Sequence, residues 1–295
     1  MNVNVACPPR ATPRERVIAL HCSGAGASQW CHLAEALGRR YEVLAPEHYG
    51  SESRGTWTGE HAFSLADEAA RTLALIGKSA EKVHLVGHSY GGGLALHVAL
   101  RRPDRIASLA LYEPSAFHLL PQMGGSGAAA YAEITAVARH VCQGVVTGDY
   151  YGAMRAFVDY WSGSGAFDAM HAHVQNALIG WASKCPLDFY ALIEEPTARS
   201  AYRALKVPAL ILRGEHAPTP TRIIAEDLSG LLPAGHLMVI EGAGHMGPLT
   251  HATEVCRLMV QHISENVDGK RSRQWRLRSA TNTLVAALQP AKAAS

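Results

Sequence analysis

Residues 83–99 read Val-His-Leu-Val-Gly-His-Ser-Tyr-Gly-Gly-Gly-Leu-Ala-Leu-His-Val-Ala. An apolar run of strand length (83–87) passes straight into a glycine-rich turn, and the turn into an apolar stretch of helix formers. At the junction stands Gly87-His88-Ser89-Tyr90-Gly91, a G-x-S-x-G pentapeptide. A strand-to-helix turn tight enough to lift a serine hydroxyl above a sheet holds that serine at strained backbone angles. Side chains two residues to either side would then collide. Glycine fills both places, and Gly92 and Gly93 let the following helix pack closely on the sheet.

The same rhythm extends in both directions. Upstream, residues 16–21 (RVIALH) predict a strand that ends in the turn CSGAGAS. Residues 28–38 place Trp30, Leu33, Ala34 and Leu37 at helical spacing, with Ser28 as cap and Gly38 as stop. A strand over 41–46 (YEVLAP), a polar loop over 47–60 and a helix over 62–77 follow. Downstream come strands over 106–112 (IASLALY), 207–212 (VPALIL) and 236–241 (HLMVIE), with helices near 221–232 and 250–264. Strands alternating with helices predict an α/β fold, a mostly parallel sheet covered on both faces. Residues 114–205 break the alternation. Their helical patterns, with aromatics from Tyr150 to Trp181 and glycine clusters at 124–127 and 163–165, predict a helical insertion. The core is therefore expected over 16–113 and 206–266, with a Pro-rich lead-in at 1–15 and a tail at 267–295. That tail is basic at Lys270, Arg271, Arg273, Arg276 and Arg278, then Ala-rich, and reads as solvated and flexible.

Composition removes several classes of function. The chain has 295 residues, 48% hydrophobic and 18% charged, enough apolar material for a core. Lys plus Arg total 27 against 25 for Asp plus Glu, a net charge of +2, which gives no electrostatic reason to expect nucleic acid or a membrane surface. No stretch approaches the ~18 uninterrupted apolar residues of a membrane span. The opening MNVNVACPPRATPRER lacks a secretory apolar core, so a cytoplasmic location is expected. Six cysteines are too sparse for a disulfide scaffold, and none pairs as CxxC, so neither structural zinc nor another metal is expected.

A serine attacks only when a base takes its proton. Of the 16 histidines, His245 stands out in the turn Gly242-Ala243-Gly244-His245-Met246-Gly247-Pro248 after the last predicted strand. It follows Ser89 by 156 residues, in keeping with an order in which the nucleophile comes first and the histidine last. His251, at the start of the next helix, is the rival, and His88 points elsewhere if the elbow forms. A developing oxyanion needs preorganised donors. The N–H of Tyr90, next to the nucleophile, is one candidate. The N–H of Ser23, in the small-residue loop His21-Cys22-Ser23-Gly24-Ala25-Gly26, is the other. That loop lacks GK[ST] and is not a phosphate cradle.

LHCSGAG, LVGHSYGGG and GAGHMGP, in that order across residues 16–265, resemble the α/β-hydrolase family. The resemblance implies an eight-stranded, mostly parallel sheet, a Ser–His–acid triad and a cap formed by 114–205. It departs from the family at Cys22, where glycine is usual. It departs more seriously at Gly214-Glu215-His216-Ala217-Pro218, where Ala217 stands in the usual place of the triad aspartate. Two carboxylates remain: Glu215, two residues early, and Glu113, in Leu111-Tyr112-Glu113-Pro114 at the end of the strand after the elbow helix. Some haloalkane dehalogenases, similar in this respect, carry their acid at the end of that strand, and Glu113 is the expected acid.

The leading reading is a serine hydrolase of an ester or related acyl bond in a small apolar molecule, needing no cofactor. The resemblance also admits a C–C bond hydrolase or a cofactor-free peroxidase. A non-catalytic ligand receptor of the same fold is the reading from another class. Ser89 argues against dehalogenases and epoxide hydrolases of this fold, which use an aspartate nucleophile.

Overall fold

The computed structural model describes residues 15–79 and 81–267. Six strands form one sheet: β1 (Glu15–Leu20), β2 (Tyr41–Leu44), β3 (Val83–His88), β4 (Ile106–Tyr112), β5 (Ala209–Gly214) and β6 (Gly235–Ile240). Their order is β2-β1-β3-β4-β5-β6, and every neighbouring pair is parallel. Eight strands were implied by the family resemblance; the sheet has six among the described residues. Each of the six coincides with an apolar run visible in the sequence, and the chain between Glu15 and Val267 holds no further such run left unused. The lead-in before Glu15 and the tail beyond Val267 lie outside the described residues.

Alternate residues along the strands face two separate cores, the period of two that a pleated strand imposes. Ile18, Leu20, Leu85, Leu109 and Ile211 pack with α2 (Leu65–Gly77), α3 (Tyr90–Arg101) and α8 (Thr219–Leu231). Val17, Ala19, Val86, Ala110 and Leu212 pack with α1 (Cys31–Leu37) and α10 (Ala252–Glu265) on the other face. Burial on both sides explains why these strands read as continuous apolar runs. Between β4 and β5 lie α4 (Gly125–Thr147), α5 (Tyr150–Ser162), α6 (Ala172–Trp181) and α7 (Cys185–Ile193). Their Ile134, Phe157, Leu178 and Phe189 belong to the same apolar cluster as Tyr90, Leu94 and Leu228. The glycine clusters fall at helix boundaries: Gly124 precedes α4 and Gly163 ends α5, both with positive φ.

Element ends shift for local reasons. β2 stops at Leu44, ahead of Pro46, and β5 starts at Ala209, after Pro208, because proline has no N–H to give the ladder. α2 starts at Leu65 because Ser64 and Asp67 form a capping box. The helix expected near 250–264 is α10, and a separate short α9 (Gly247–Thr250) precedes it, divided from it at His251. No helix of the described residues is long and apolar enough to cross a membrane.

Register places the working ends together. Gly87 of β3 lies opposite both Leu20 of β1 and Leu111 of β4, and Tyr112 lies opposite Leu212 of β5. The loops after β1, β3, β4 and β5 therefore leave the sheet side by side at its carboxyl edge, where open α/β sheets hold their sites.

The buried histidines set an acid limit. His84, His118 and His262 are each lowered to about 4 by burial. The unfolded chain takes up their protons near pH 6.5, whereas the native state resists until about 4. Stability is therefore lost as pH falls across that window, by about 1.4 kcal/mol per pH unit for each histidine. The urea midpoint is expected to drop steadily from pH 7 to pH 5. An unchanged midpoint would contradict this.

Candidate active site

Ser89 sits between β3 and α3 with φ 53° and ψ −116°. It and Glu113 (φ 41°) are the two non-glycine residues with positive φ among those described. The crossing is tight: a Cβ on Gly87 would overlap the Gly91 carbonyl oxygen, and one on Gly91 would overlap that of Leu20. Four backbone hydrogen bonds pin the strained serine. Its N–H donates to Tyr112 O at 3.0 Å, and its carbonyl accepts from the N–H groups of Gly92, Gly93 and Ser115 at 2.9–3.0 Å. Strain held this firmly by its surroundings is a mark of working sites.

The Ser89 hydroxyl lies 2.9 Å from His245 Nε2, and His245 Nδ1 lies 2.7 Å from Glu113 Oε2. Glu113 is fully buried but well supplied with donors, accepting from Gly214 N at 2.9 Å and Thr221 Oγ1 at 2.8 Å. A carboxylate on Nδ1 fixes the proton there and leaves Nε2 to accept from the serine. Glu215 stands elsewhere: it is exposed, and its Oε2 accepts from Gly242 N at 2.9 Å, tying down the start of the histidine loop. Ala217 occupies the turn before α8. His251 bonds to Thr250 Oγ1 at 2.9 Å.

Several residues hold the histidine loop. Tyr112 OH donates to Gly244 O at 2.7 Å. His88, turned under the elbow, donates from Nε2 to His245 O at 2.9 Å. Its Nδ1 lies 3.2 Å from Gln29 Nε2, and Gln29 Oε1 accepts from Cys22 N at 3.1 Å. Burial holds the His88 ring well below its ordinary pKa, so it stays neutral and can donate on one side and accept on the other. The loop after β1 is thereby tied to the loop that carries His245. Trp161 of α5 stacks on the His245 ring, centroids 4.2 Å apart and planes at 30°.

Ser23 and Tyr90 border the same small cavity beside Ser89. The Ser23 hydroxyl donates to Asp188 Oδ2 at 2.5 Å. Asp188 pairs with Lys184, and Lys184 reaches Glu68 Oε2 at 3.1 Å, which also accepts from Tyr90 OH at 3.1 Å. Burial raises the Asp188 carboxyl despite the ammonium beside it. Burial alone would lower Lys184, but Asp188 and Glu68 outweigh it and raise it. A buried chain of charges thus runs from α2 through α7 to Ser23.

Ser89 opens on two cavities. The larger, about 260 Å³, is apolar and includes Phe157, Trp161, Val174, Leu178, His245 and Leu249 in its walls. The smaller, about 20 Å³, meets Ser115, Phe117, Asp188, Phe189 and Leu192. Neither has a lysine or arginine in its wall. Among the described residues, no three His, Cys, Asp or Glu side chains come together as a metal site.

A sequence profile described as the α/β hydrolase fold matches residues 15–252. The chain belongs to the α/β-hydrolase family. RutD of Azorhizobium caulinodans, an inferred carbamate hydrolase, is 34% identical over 89 residues, 30% of this chain and 33% of that one. The chain thus spans about a third of the length of that relative. The 2-hydroxymuconate semialdehyde hydrolase of Pseudomonas sp. (strain CF600) is 24% identical over 276 residues, 83% of this chain and 86% of that one. Among solved structures, the hydrolase MGS-M2 from a Medee basin deep-sea metagenome superposes with a TM-score of 0.69 at 13% identity, covering 86% of this chain and 91% of that one. At that identity the likeness shows the fold alone. Both of the sequence relatives are named as hydrolases.

Trp161, Ser115, Lys184 and Asp188 of this α/β-hydrolase were not singled out as site residues from sequence. Aromatics at helical spacing read as core, and Lys184 and Asp188, four residues apart, read as an ordinary helical ion pair, with nothing local to mark Glu68, 116 residues away, as their third member. The one usable signal was Ser115, two residues past Glu113.

Proposed function

We propose that the protein is a serine hydrolase that cleaves an ester of a small apolar molecule through an acyl-enzyme. The observation that carries this reading is the buried row Ser89–His245–Glu113 opening on an apolar cavity. Ser89 Oγ attacks the carbonyl carbon while His245 Nε2 takes its proton. Glu113 keeps the ring in the required tautomer and stabilises the imidazolium. The N–H groups of Ser23 and Tyr90 receive the oxyanion. His245 gives the proton to the leaving oxygen, then activates the water that frees the acid. Helices α4–α7 act as the cap, with Phe157, Trp161 and Leu178 as its contribution to the cavity.

The cavity walls favour this reading over C–C hydrolysis of a diketone-like substrate that carries a carboxylate. A carboxylate buried there would have no cationic partner, and an unpaired buried charge is costly. A receptor of this fold needs no hydrogen-bonded base on its serine, and here His245 is held on Ser89.

Turnover of p-nitrophenyl acetate tests the proposal against the receptor reading. The expected result is saturable release of many equivalents of p-nitrophenol per protein. Binding that releases one equivalent or less would overturn the enzymatic reading of the serine.

A further inference from the structure

The two cavities beside Ser89 are unequal, and their placement assigns each half of the substrate. We infer that the enzyme is selective for acetyl esters of bulky apolar alcohols. This rests on the acyl-enzyme reading above.

The leaving oxygen must come within hydrogen-bond reach of His245 Nε2, because that nitrogen returns the proton to it. The alcohol half therefore lies on the His245 side. The cavity there is the one of about 260 Å³, whose walls include His245, Met246 and Leu249. The acyl half leaves the carbonyl carbon on the other side. The cavity there borders Ser89, Tyr90 and Ser115 but not His245, and its volume is about 20 Å³. The small cavity is therefore by far the tighter of the two and takes the shorter half of the substrate.

Apart from the polar Ser23, Ser115 and Asp188, its walls are apolar and suit a methyl. Phe117, Phe189 and Leu192 border it, and Phe117 and Phe189 stack at 6.4 Å. Ser23, Ser89, Phe157 and Trp161 border both cavities. The walls have no room to retreat, because Phe117, Phe189 and Leu192 are themselves buried in the main core cluster. Forcing extra methylenes into such packing costs ~1–3 kcal/mol, which longer acyl groups would meet in the transition state.

The chemistry balances as an acetyl transfer to water. Ser89 Oγ bonds to the acetyl carbon and the bond to the alcohol oxygen breaks. The serine proton passes through His245 to the departing alcohol. Water then adds to the acetyl carbon, acetate leaves, and a proton returns to Ser89.

The test is a panel of 2-naphthyl esters with the intact chain, run beside fluorophosphonate labelling of Ser89. kcat/KM is expected to fall about tenfold or more for each methylene added beyond acetyl. With the acetyl group fixed, kcat/KM for the acetates of methyl, butyl and 2-naphthylmethyl alcohol, run beside this panel, is expected to rise in that order. Leu192→Ala and Phe189→Leu, each widening the small cavity, are expected to raise the butyrate-to-acetate ratio of kcat/KM at least about tenfold. Butyrate or hexanoate cleaved by the wild type as fast as acetate, with Ser89 labelled, would overturn the acetyl inference and leave the serine-hydrolase reading standing. Faster cleavage of 2-naphthyl carbamate than of the acetate would overturn it in the same way, by putting an amino group where the methyl was assigned. A labelled Ser89 with no ester turned over would overturn the ester-hydrolase reading and the inference that rests on it. Failure of both labelling and turnover would overturn the two together.

Discussion

Ser89→Ala is expected to lower kcat by about 10⁶-fold, the scale seen when a triad serine is removed, while the protein stays folded. The substitution deletes one oxygen. It keeps all four backbone hydrogen bonds that hold residue 89, and the strained φ of 53° is no worse for alanine than for serine. Ser115, with its hydroxyl 3.1 Å from that of Ser89, is the obvious substitute nucleophile. Its hydroxyl has no recorded contact with His245 among the described residues, so it lacks the base it would need. Steady-state rates on p-nitrophenyl acetate check this, with thermal melting to show the variant is native. Loss of less than about tenfold would move the nucleophile away from Ser89.

Glu113→Gln is expected to cut kcat by about 10⁴-fold, whereas Glu215→Gln changes it less than about tenfold. The glutamine keeps the shape of the buried side chain and an oxygen for Gly214 N or Thr221 Oγ1. It loses the charge that stabilises the imidazolium and secures the proton on Nδ1. Glu215 serves Gly242 N with one oxygen, a bond that an amide oxygen also accepts. The comparison is made on kcat at saturating ester, with both variants checked for native melting. The reverse ranking would make Glu215 the orienting acid, and two mild effects would mean that neither carboxylate orients His245.

The elbow was legible because its signal is local. Gly87 and Gly91 are demanded by backbone oxygens within five residues or on the adjacent strand, so the pentapeptide encodes its own geometry. The four central strands were legible because burial on both faces makes them largely apolar, and the partly exposed edge strands β2 and β6 were read from short apolar runs between turn residues. The acid was reached by elimination at Ala217, and the structure sets Glu113 rather than Glu215 against His245. The eight-strand expectation came from the resemblance and not from this chain's own runs, of which there are six. What stayed hidden depends on contacts far apart in sequence. Trp161 meets His245 across 84 residues of chain, in a segment whose aromatics have the same spacing as ordinary core. The Glu68–Lys184–Asp188–Ser23 chain joins four elements, and each member alone resembles a surface charge or a turn serine. His88 is legible only as a neighbour of the nucleophile. Its bond to the His245 carbonyl depends on how two loops meet at the sheet edge.

The central claim is that Ser89, activated by His245, is a covalent nucleophile. Labelling with a fluorophosphonate, followed by peptide mapping in a mass spectrometer, tests it most directly. The account predicts one adduct, on Ser89, absent from Ser89→Ala and strongly slowed in His245→Ala. An adduct on another residue, or labelling that persists in Ser89→Ala, would contradict it.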